Sequence, residues 1–447
     1  MNRNFSILFA GALAGATIAT VGVGQERDGS NPTQSETYRA LSIFGDVFEI
    51  VRAQYPDKPD DQELIEDAIN GMLTSLDPHS SFMNAEEAAD MRTQTSGEFG
   101  GLGIEVTMED ELVKVVSPFD GTPADKAGVL ANDLITEING EEVRGLTLSE
   151  AVDKMKGDIG TSVELTLIRE GATKPIRVSI ERAEIKVPSV RHSIEDGIGY
   201  IKLLRFSEQT TIGLQEAIAE IEAETGDDEL TGYVLDLRRN PGGLLDEAVS
   251  VADVFLDQGE IVSTRGRNAE ETRRYNARAG DEIDGKPLVV LINGGSASAS
   301  EIVAGALQDQ RRATVVGSRS FGKGSVQTIL PLGADGALRL TTALYYTPSN
   351  RSIQGRGIDP DIEVEQPLPP EILEQMGLGA ADEMALGESS LRGHIRGLEE
   401  GEDGSGSLDY VPPDQEDDLQ LQYALDLING QEKHAAYPPQ ANSRASN

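Results

Sequence analysis

The sequence predicts an α/β protein in which a compact β-rich module lies between N-terminal helices and an α/β core. Apolar residues recur at helical spacing over residues 37–76, which favours helices there. Short alternating apolar segments separated by turns fill residues 97–183, as is typical of a small β-domain. Strand-like and helix-like segments alternate over residues 190–345, which indicates a layer of parallel strands with helices.

The chain of 447 residues, 48 of them Gly, is long enough for two or three domains. We divide it into the segments 1–25 (export signal or anchor), 35–95 (helical), 96–183 (β-rich), 185–368 (α/β core) and 369–447 (an acidic C-terminal extension with a short helix at 419–428).

The composition excludes several kinds of site. The chain carries 77 Asp and Glu against 38 Lys and Arg, and this net charge of −39 argues against nucleic acid as a partner. The absence of Cys excludes a disulfide scaffold, a thiolate zinc site and a Cys nucleophile. The four His leave little room for a multi-His metal site, so we expect no metal.

The N-terminus predicts export. Arg3 precedes an apolar stretch over residues 5–23, and polar residues follow from Gln25. This pattern is typical of a secretory signal, and Gly22 and Gly24 fit the small positions of a cleavage site. The alternative is an uncleaved membrane anchor, because the stretch is nearly long enough to span a bilayer. Residues 29–34 have the composition of a linker.

Local patterns predict the elements in order. Pro56 and Pro59 divide the first helical pattern into two helices, and the sequence Leu76-Asp77-Pro78-His79-Ser80-Ser81 ends it as a turn. The β-rich module has strands at 104–106, 112–116, 134–138, 163–169 and 176–180 and helices at 123–128 and 147–156. The α/β core has strands at 199–204, 232–237, 288–292 and 313–316 and helices at 212–223, 246–255 and 299–309.

The C-terminal extension changes in character. Beyond residue 370 the sequence is acidic and rich in Gly and Ser. Such segments lack the apolar residues that would offset the entropy of ordering, so we expect most of residues 380–447 to be disordered. A short amphipathic helix at 419–428 is the predicted exception.

Three motifs of the α/β core carry candidate chemistry. The Ser-rich sequence 293–301 joins a buried strand to a helix, where helix N–H groups suit a developing oxyanion, but Ser298 and Glu301 also fit a simple capping box. Lys323 lies between two Gly, which allows close backbone approach, although a lone Lys is more often a solvated loop charge. The sequence 236–243 ends a strand with Pro-Gly-Gly, typical of an ordinary tight turn.

The chemistry of these motifs is compatible. A Ser hydroxyl needs a base to become a nucleophile, and the scattered His residues are poor candidates. A Lys amine can replace His where burial keeps it neutral, and Ser–Lys pairs are a known variant of the Ser-His-Asp arrangement. Gln327 follows Lys323 by four residues and is placed to orient the amine.

Six ordered motifs together resemble the carboxyl-terminal processing (tail-specific) serine peptidase family. They are Leu76–Ser80, Gly101–Ile104, the turn at 236–243, Gly295–Glu301, Gly322–Gln327, and 346–349 with 351–355, so the resemblance spans about residues 38–365. It implies a crotonase-like (ClpP-like) spiral protease core with Ser298 as nucleophile, Lys323 as general base and Gln327 as its orienting residue. The 25-residue separation of Ser298 and Lys323 is the family's usual one and selects Ser298 over Ser296 and Ser300.

The β-rich module at 96–183 resembles a PDZ domain. The resemblance implies that the backbone of Gly101, Leu102, Gly103 and Ile104 holds a free carboxylate and that Val152 and Met155, with Leu148, line a pocket for an apolar terminal side chain. The alternative is a β-domain that only packs against the core.

The resemblance thus predicts an exported hydrolase, a serine endopeptidase that holds the free C-terminus of a protein substrate and cleaves near it. The oxyanion hole would use the amides of Ala299 and Gly243, or Gly242 in place of Gly243, and no cofactor is needed. We expect the protein to act in the periplasm of a bacterium or at the outer face of its inner membrane, where the N-terminus would serve as a membrane tether. The expected substrates are peptides and proteins with free C-termini. We also expect a homo-oligomer and an activating adaptor protein as a partner. The alternatives are a non-catalytic exported PDZ peptide-binding protein and a non-proteolytic enzyme on the same fold.

Overall fold

The structure is a computed structural model that describes residues 34–226, 229–372, 387–397 and 404–439. The chain divides into two compact units, one up to Ile65 and one from Glu66 onward. The predicted export signal or anchor at 1–25 lies outside the described residues. Within the described ranges, no helix is both long and apolar enough to cross a bilayer.

The elements are numbered in chain order. The helices are α1 Gln34–Gln54, α2 Asp61–Thr74, α3 Ala85–Ser96, α4 Pro123–Lys126, α5 Leu148–Met155, α6 Thr210–Thr225, α7 Leu245–Val254, α8 Ala299–Asp309 and α9 Leu419–Ile428. The strands are β1 Ser81–Met83, β2 Glu98–Gly101, β3 Ile104–Glu109, β4 Leu112–Pro118, β5 Leu134–Ile138, β6 Glu141–Glu142, β7 Ser162–Ile168, β8 Ile176–Glu181, β9 Ala183–Lys186, β10 Val190–Glu195, β11 Ile198–Leu203, β12 Gly232–Asp236, β13 Glu260–Gly266, β14 Arg273–Asn276, β15 Leu288–Ile292, β16 Thr314–Gly317, β17 Ser325–Pro331, β18 Ala337–Tyr346 and β19 Ile362–Glu363.

The N-terminal helices end and begin where their sequence predicts. α1 ends before Pro56, and the Asp60 side chain accepts hydrogen bonds from the backbone N–H groups of Gln62 and Glu63 at 2.9 and 3.0 Å, which starts α2. Such a cap satisfies donors that have no partner inside the helix. Apolar residues of α1 are exposed, among them Phe44 at 51%.

The β-rich module is a sheet in the order β3-β4-β5-β7-β8, with β6 paired to β5. Alternation along the strands places residues such as Val113, Val115, Leu165 and Leu167 in the module's own core. The antiparallel pair β2 and β9 lies where the chain enters and leaves the module. β3 is an edge strand of this sheet within the described residues.

The α/β core contains a six-stranded sheet in the order β10-β11-β12-β15-β16-β19. Its strands are parallel except for β10, which pairs antiparallel with β11 at the edge. Buried residues of α6, α7 and α8, such as Leu214, Val251 and Val303, form the main apolar cluster with this sheet. A second, antiparallel sheet in the order β1-β18-β13-β14, with β17 paired to β18, also contributes to that cluster.

Three neighbouring strands lead at their carboxyl ends into the segments that carry the candidate chemistry. The glycine turn (residues 237–244) follows β12, the serine turn (293–298) follows β15, and the lysine loop (318–324) follows β16. These strands are adjacent and parallel, so the three segments meet at one edge of the sheet. The connectivity of the fold therefore brings distant motifs together.

The expectation of a largely disordered C-terminal extension is wrong for residues 387–397, 404–418 and 429–439, whereas the helix predicted at 419–428 is confirmed as α9. In α9, Leu421, Ala424 and Leu427 are buried against the sheet face opposite α6–α8, where they join Val234, Val289 and Leu291. Covering these strand residues removes apolar surface from water, which offsets the entropy of ordering an otherwise polar segment. Residues 373–386, 398–403 and 440–447 lie outside the described ranges.

A buried ion pair also fixes the C-terminal extension. The fully buried guanidinium of Arg238 donates two hydrogen bonds to Asp236, at 3.0 and 2.9 Å, and two to Asp418, at 2.6 and 2.7 Å. Burial alone would raise the pKa of Asp236, but the charge and hydrogen bonds of Arg238 outweigh it and lower that pKa to about 2. The stabilisation is complete above the ordinary aspartate pKa and is lost as the pH falls through about 2.

Replacing Asp418 with Ala is expected to lower the free energy of unfolding by about 3–5 kcal/mol, because the buried guanidinium of Arg238 would lose one of its two carboxylate partners. Chemical denaturation at neutral pH measures the loss. The matched control is Asp417→Ala, an exposed carboxylate one residue earlier, which should change stability by less than about 0.5 kcal/mol. Equal stability of the two variants would contradict the role given to Asp418.

Candidate active site

Ser298 occupies a strained position between β15 and α8. It is the residue before the first turn of α8, and its backbone has φ 54° and ψ −110°. Positive φ is costly for a residue with a side chain, and such strain persists where the surrounding structure imposes it. The serine is 9% exposed. The turn thus presents one hydroxyl beside the N-terminus of a helix.

Glu301 connects the serine turn to the lysine loop. Its Oε2 accepts from the N–H groups of Ser298 at 2.7 Å and Lys323 at 2.9 Å. Its Oε1 accepts from the Gly322 N–H at 2.7 Å and from the Ser320 hydroxyl at 2.6 Å. A single buried carboxylate therefore holds both segments in one arrangement. Its burial raises the pKa of Glu301 to about 7, although these hydrogen bonds oppose the rise.

A simple capping box accounts for only one of the four hydrogen bonds that Glu301 accepts. The side chain does accept from the N–H of Ser298, as in a capping box. Its three further hydrogen bonds reach residues 320–323, and no local pattern at the helix start signals these partners.

Lys323 lies in a setting that favours its neutral form. Burial is the largest influence and lowers the pKa of its amine. The Glu388 carboxylate raises this pKa and the Arg339 guanidinium lowers it, while Glu301 and Asp77 raise it further. The net effect is a lowered pKa, which is the direction that a Lys base requires.

Gln327 lies on β17, four residues beyond Lys323, but its amide is engaged elsewhere. Its Nε2 donates to the Ser325 hydroxyl at 3.0 Å and to the Thr341 hydroxyl at 3.3 Å. The Thr341 hydroxyl in turn donates to Asp77 at 3.0 Å. Within the described residues, no hydrogen bond joins Gln327 to Lys323, or Lys323 to Ser298.

The glycine turn lies directly against the serine turn. A Cβ on Gly242 would lie 2.9 Å from Ser298 Cβ and 3.0 Å from Ala299 N, and Gly242 has φ 98°. Its N–H donates to Asn240 Oδ1 at 2.9 Å. In the described part of the chain, the N–H groups of Gly243 and Ala299 have no hydrogen-bond partner. Of the two glycines considered for an oxyanion site, Gly243 is therefore the one with a free donor.

The segment predicted to bind a carboxylate has free N–H donors at the edge of the β-rich module's sheet. Leu102 is buried, Gly103 has φ 75°, and neither N–H has a hydrogen-bond partner within the described ranges. Ile104 begins the edge strand β3. Ile104 and Val152 are partly buried against the core of the module, whereas Met155, at 4% exposure, belongs to that core. Met155 is therefore a core residue of the module, whereas Val152 keeps part of its surface exposed.

Sequence comparison decides the family. The carboxy-terminal-processing protease of Bartonella bacilliformis is 60% identical to this chain over 409 residues, which cover 92% of this chain and 93% of that protein. The chain belongs to the carboxy-terminal-processing protease family. The model of peptidase family S41 matches residues 197–364, that of the PDZ domain matches 100–180, and that of the activating protease CtpB N-terminal domain matches 11–87.

Two further proteins are similar to this chain. A probable CtpA-like serine protease of Staphylococcus aureus is 35% identical over 368 residues, covering 81% of this chain and 72% of that protein. The solved structure of a photosystem II D1 C-terminal processing protease has 31% identity and a TM-score of 0.42, and covers 75% of this chain and 93% of that chain. The predicted family, the PDZ domain and the serine protease activity are confirmed, and the protease is favoured over the non-catalytic PDZ protein.

Proposed function

We propose that the protease is an exported endopeptidase that binds the free C-terminus of a protein substrate through its PDZ domain and cleaves nearby with Ser298 and Lys323. The observation that carries the assignment is the Glu301 carboxylate, which binds the backbone N–H groups of both residues. A residue that only caps the start of α8 would not need to bind the backbone of the lysine loop. The parallel order of β11, β12, β15 and β16 supports the crotonase-like (ClpP-like) spiral proposed for the core.

The proposed mechanism begins with proton transfer. The neutral amine of Lys323 takes the proton of the Ser298 hydroxyl as its oxygen attacks the scissile carbonyl carbon. The oxyanion of the tetrahedral intermediate accepts hydrogen bonds from the N–H groups of Ala299 and Gly243, which have no other partner among the described residues. Lys323 then gives its proton to the departing amine. Water attacks the acyl-enzyme with Lys323 again acting as base, which releases the new C-terminus.

Gln327 is proposed to orient the amine of Lys323 in this reaction. Its Nε2 donates to Ser325 and Thr341, and this leaves Oε1 to accept a hydrogen bond from the amine. Catalytic hydrogen bonds are commonly long before substrate binds and tighten in the complex. We therefore propose that bound substrate brings Ser298, Lys323 and Gln327 into direct contact.

The PDZ domain is proposed to recognise the substrate terminus. The free N–H groups of Leu102 and Gly103 suit a carboxylate, and the edge strand β3 suits an added peptide strand. Val152 and Met155 contribute the apolar side of the pocket. The −39 charge disfavours acidic substrates at long range, so we propose that this local site supplies the attraction for the terminal carboxylate.

Amidating the terminal carboxylate of an unstructured peptide substrate is expected to lower kcat/KM by about tenfold to a hundredfold, because a charge-assisted hydrogen bond is lost. The loss should lie in KM, since the carboxylate is bound equally in the ground state and the transition state. The control is the same peptide with its N-terminus acetylated, which should be cleaved like the parent. Equal kcat/KM for free and amidated peptides would contradict recognition of the terminus.

The location and the assembly of the protease are also proposals. Residues 1–25 carry the pattern of an export signal or anchor, which supports the periplasm or the outer face of the inner membrane as its site of action. The exposed apolar residues of α1 support a homo-oligomer. An activating adaptor is proposed as a further partner.

A further inference from the structure

A buried polar cluster joins three distant parts of the chain beside the lysine loop. His79 comes from the turn after α2, Gln354 from the segment after β18, and Glu388 from the C-terminal extension. His79 Nε2 lies 2.9 and 2.8 Å from the two carboxylate oxygens of Glu388. The Glu388 side chain is 0% exposed and that of His79 is 17% exposed. A buried carboxylate needs such partners, since leaving water is costly for a charge.

The cluster holds the lysine loop on both sides of Lys323. On one side, the Glu388 N–H donates to the carbonyl oxygen of Phe321 at 2.9 Å. On the other, Gln354 Oε1 accepts from the Gly324 N–H at 3.0 Å. Gln354 Nε2 donates to Glu388 Oε1 at 2.9 Å, so both attachments lead to Glu388.

This attachment complements that of Glu301. Glu301 holds the loop through Gly322 and Lys323 from the side of α8. Glu388 holds the loop directly at Phe321, and Gln354, which is bonded to Glu388, holds it at Gly324. The backbone that carries the amine is therefore fixed at four successive residues. One of these four contacts, that with Phe321, comes from a segment outside the region that the peptidase model matches, residues 197–364.

We propose that Glu388 is a positioning residue of the active site, through which the C-terminal extension fixes the loop that carries Lys323. The inference rests on the proposed role of Lys323 as general base. Glu388 acts through the carbonyl of Phe321 and through Gln354, and it touches no reacting atom. The C-terminal extension thus contributes a positioning residue to the active site.

Glu388 also contributes charge to the site, which gives the proposal a distinctive readout. The carboxylates that face Lys323 are Glu388, Glu301 and Asp77, and all three raise the pKa of its amine. Burial and the Arg339 guanidinium lower it. Removing the charge of Glu388 therefore lowers the pKa of Lys323 further. Since the base must be neutral, the acid limb of the pH profile of kcat/KM should move to lower pH.

The experiment compares Glu388→Gln and Glu388→Ala with the wild-type full chain in peptide cleavage from acid to alkaline pH. Glu388→Gln keeps the shape of the side chain and one oxygen that can accept from Gln354 Nε2, so it should retain most of kcat while its acid limb moves to lower pH. Glu388→Ala should show the same movement and a kcat lower by about tenfold to a hundredfold, because Gln354, which holds Gly324, loses its partner. The matched control is Glu371→Gln, an exposed charge removal in the same extension, which should change neither quantity.

The outcomes separate this proposal from the function on which it rests. An unmoved acid limb in Glu388→Gln overturns the proposal, whatever the stability of Glu388→Ala. A wild-type kcat in Glu388→Ala overturns it as well. Lys323→Ala is assayed in parallel: if it cleaves like the wild type, the proposed function itself fails, whereas an inactive Lys323→Ala with an unmoved acid limb in Glu388→Gln rejects only the role of Glu388.

Discussion

Replacing Lys323 with Ala is expected to lower kcat by about 10⁴-fold or more, the scale seen when one member of a nucleophile–base unit is lost. Without the amine, the Ser298 hydroxyl loses the base proposed for it. The rate is measured with an unstructured peptide that carries a free C-terminus. The wild-type rate should rise with pH through the lowered pKa of Lys323, because only the neutral amine is a base.

The variant Lys323→Arg separates a base from a mere positive charge. A guanidinium remains protonated at all working pH values, so Lys323→Arg should be as inactive as Lys323→Ala. Lys433→Ala, which removes an exposed lysine of the C-terminal extension, is the matched control and should cleave at the wild-type rate. An active Lys323→Arg would show that the site needs charge and not a base.

Replacing Glu301 with Gln is expected to lower kcat by about 10²-fold or more, because the lysine loop and the serine turn would lose their shared anchor. The carboxylate accepts four hydrogen bonds, and a Gln amide offers only one acceptor oxygen. Each buried donor left without a partner should also lower the free energy of unfolding by about 1–3 kcal/mol.

Steady-state kinetics and chemical denaturation of Glu301→Gln measure these two effects. The control is Glu363→Gln, which makes the same change on the exposed side of β19. Full activity in Glu301→Gln would mean that the two segments hold their positions without the carboxylate, and it would remove the main structural support for pairing Ser298 with Lys323.

Much of the site was predictable from local sequence. The apolar run at 288–292 predicts the strand that ends at the serine turn, and the neighbouring strand 232–236 ends at the glycine turn. Once parallel strands are expected, their carboxyl ends must meet at one edge. The resemblance then supplied the choice of Ser298 among three nearby serines through the family's usual 25-residue separation from the Lys, a choice that the local sequence pattern alone did not decide.

The contacts that hold the lysine loop were not predictable in this way. Glu301 and Glu388 reach partners far away in sequence; His79 and Glu388 are 309 residues apart. Local patterns report propensity and periodicity, and neither encodes which buried carboxylate meets which loop. Low apolar content likewise led to the expectation of disorder in the segments around α9. The helix itself was predicted, but not the sheet face that its few buried residues cover.

Comparison of Ser298→Ala, Lys323→Ala and the double variant tests most directly whether the two residues act as one catalytic unit. If they do, each single change removes the whole of their joint contribution, and the double variant should be no slower than either single variant. The measurement is the rate of peptide cleavage at the pH optimum of the wild type. Losses that multiply in the double variant, or a single variant that cleaves at the wild-type rate, would contradict the Ser298–Lys323 assignment.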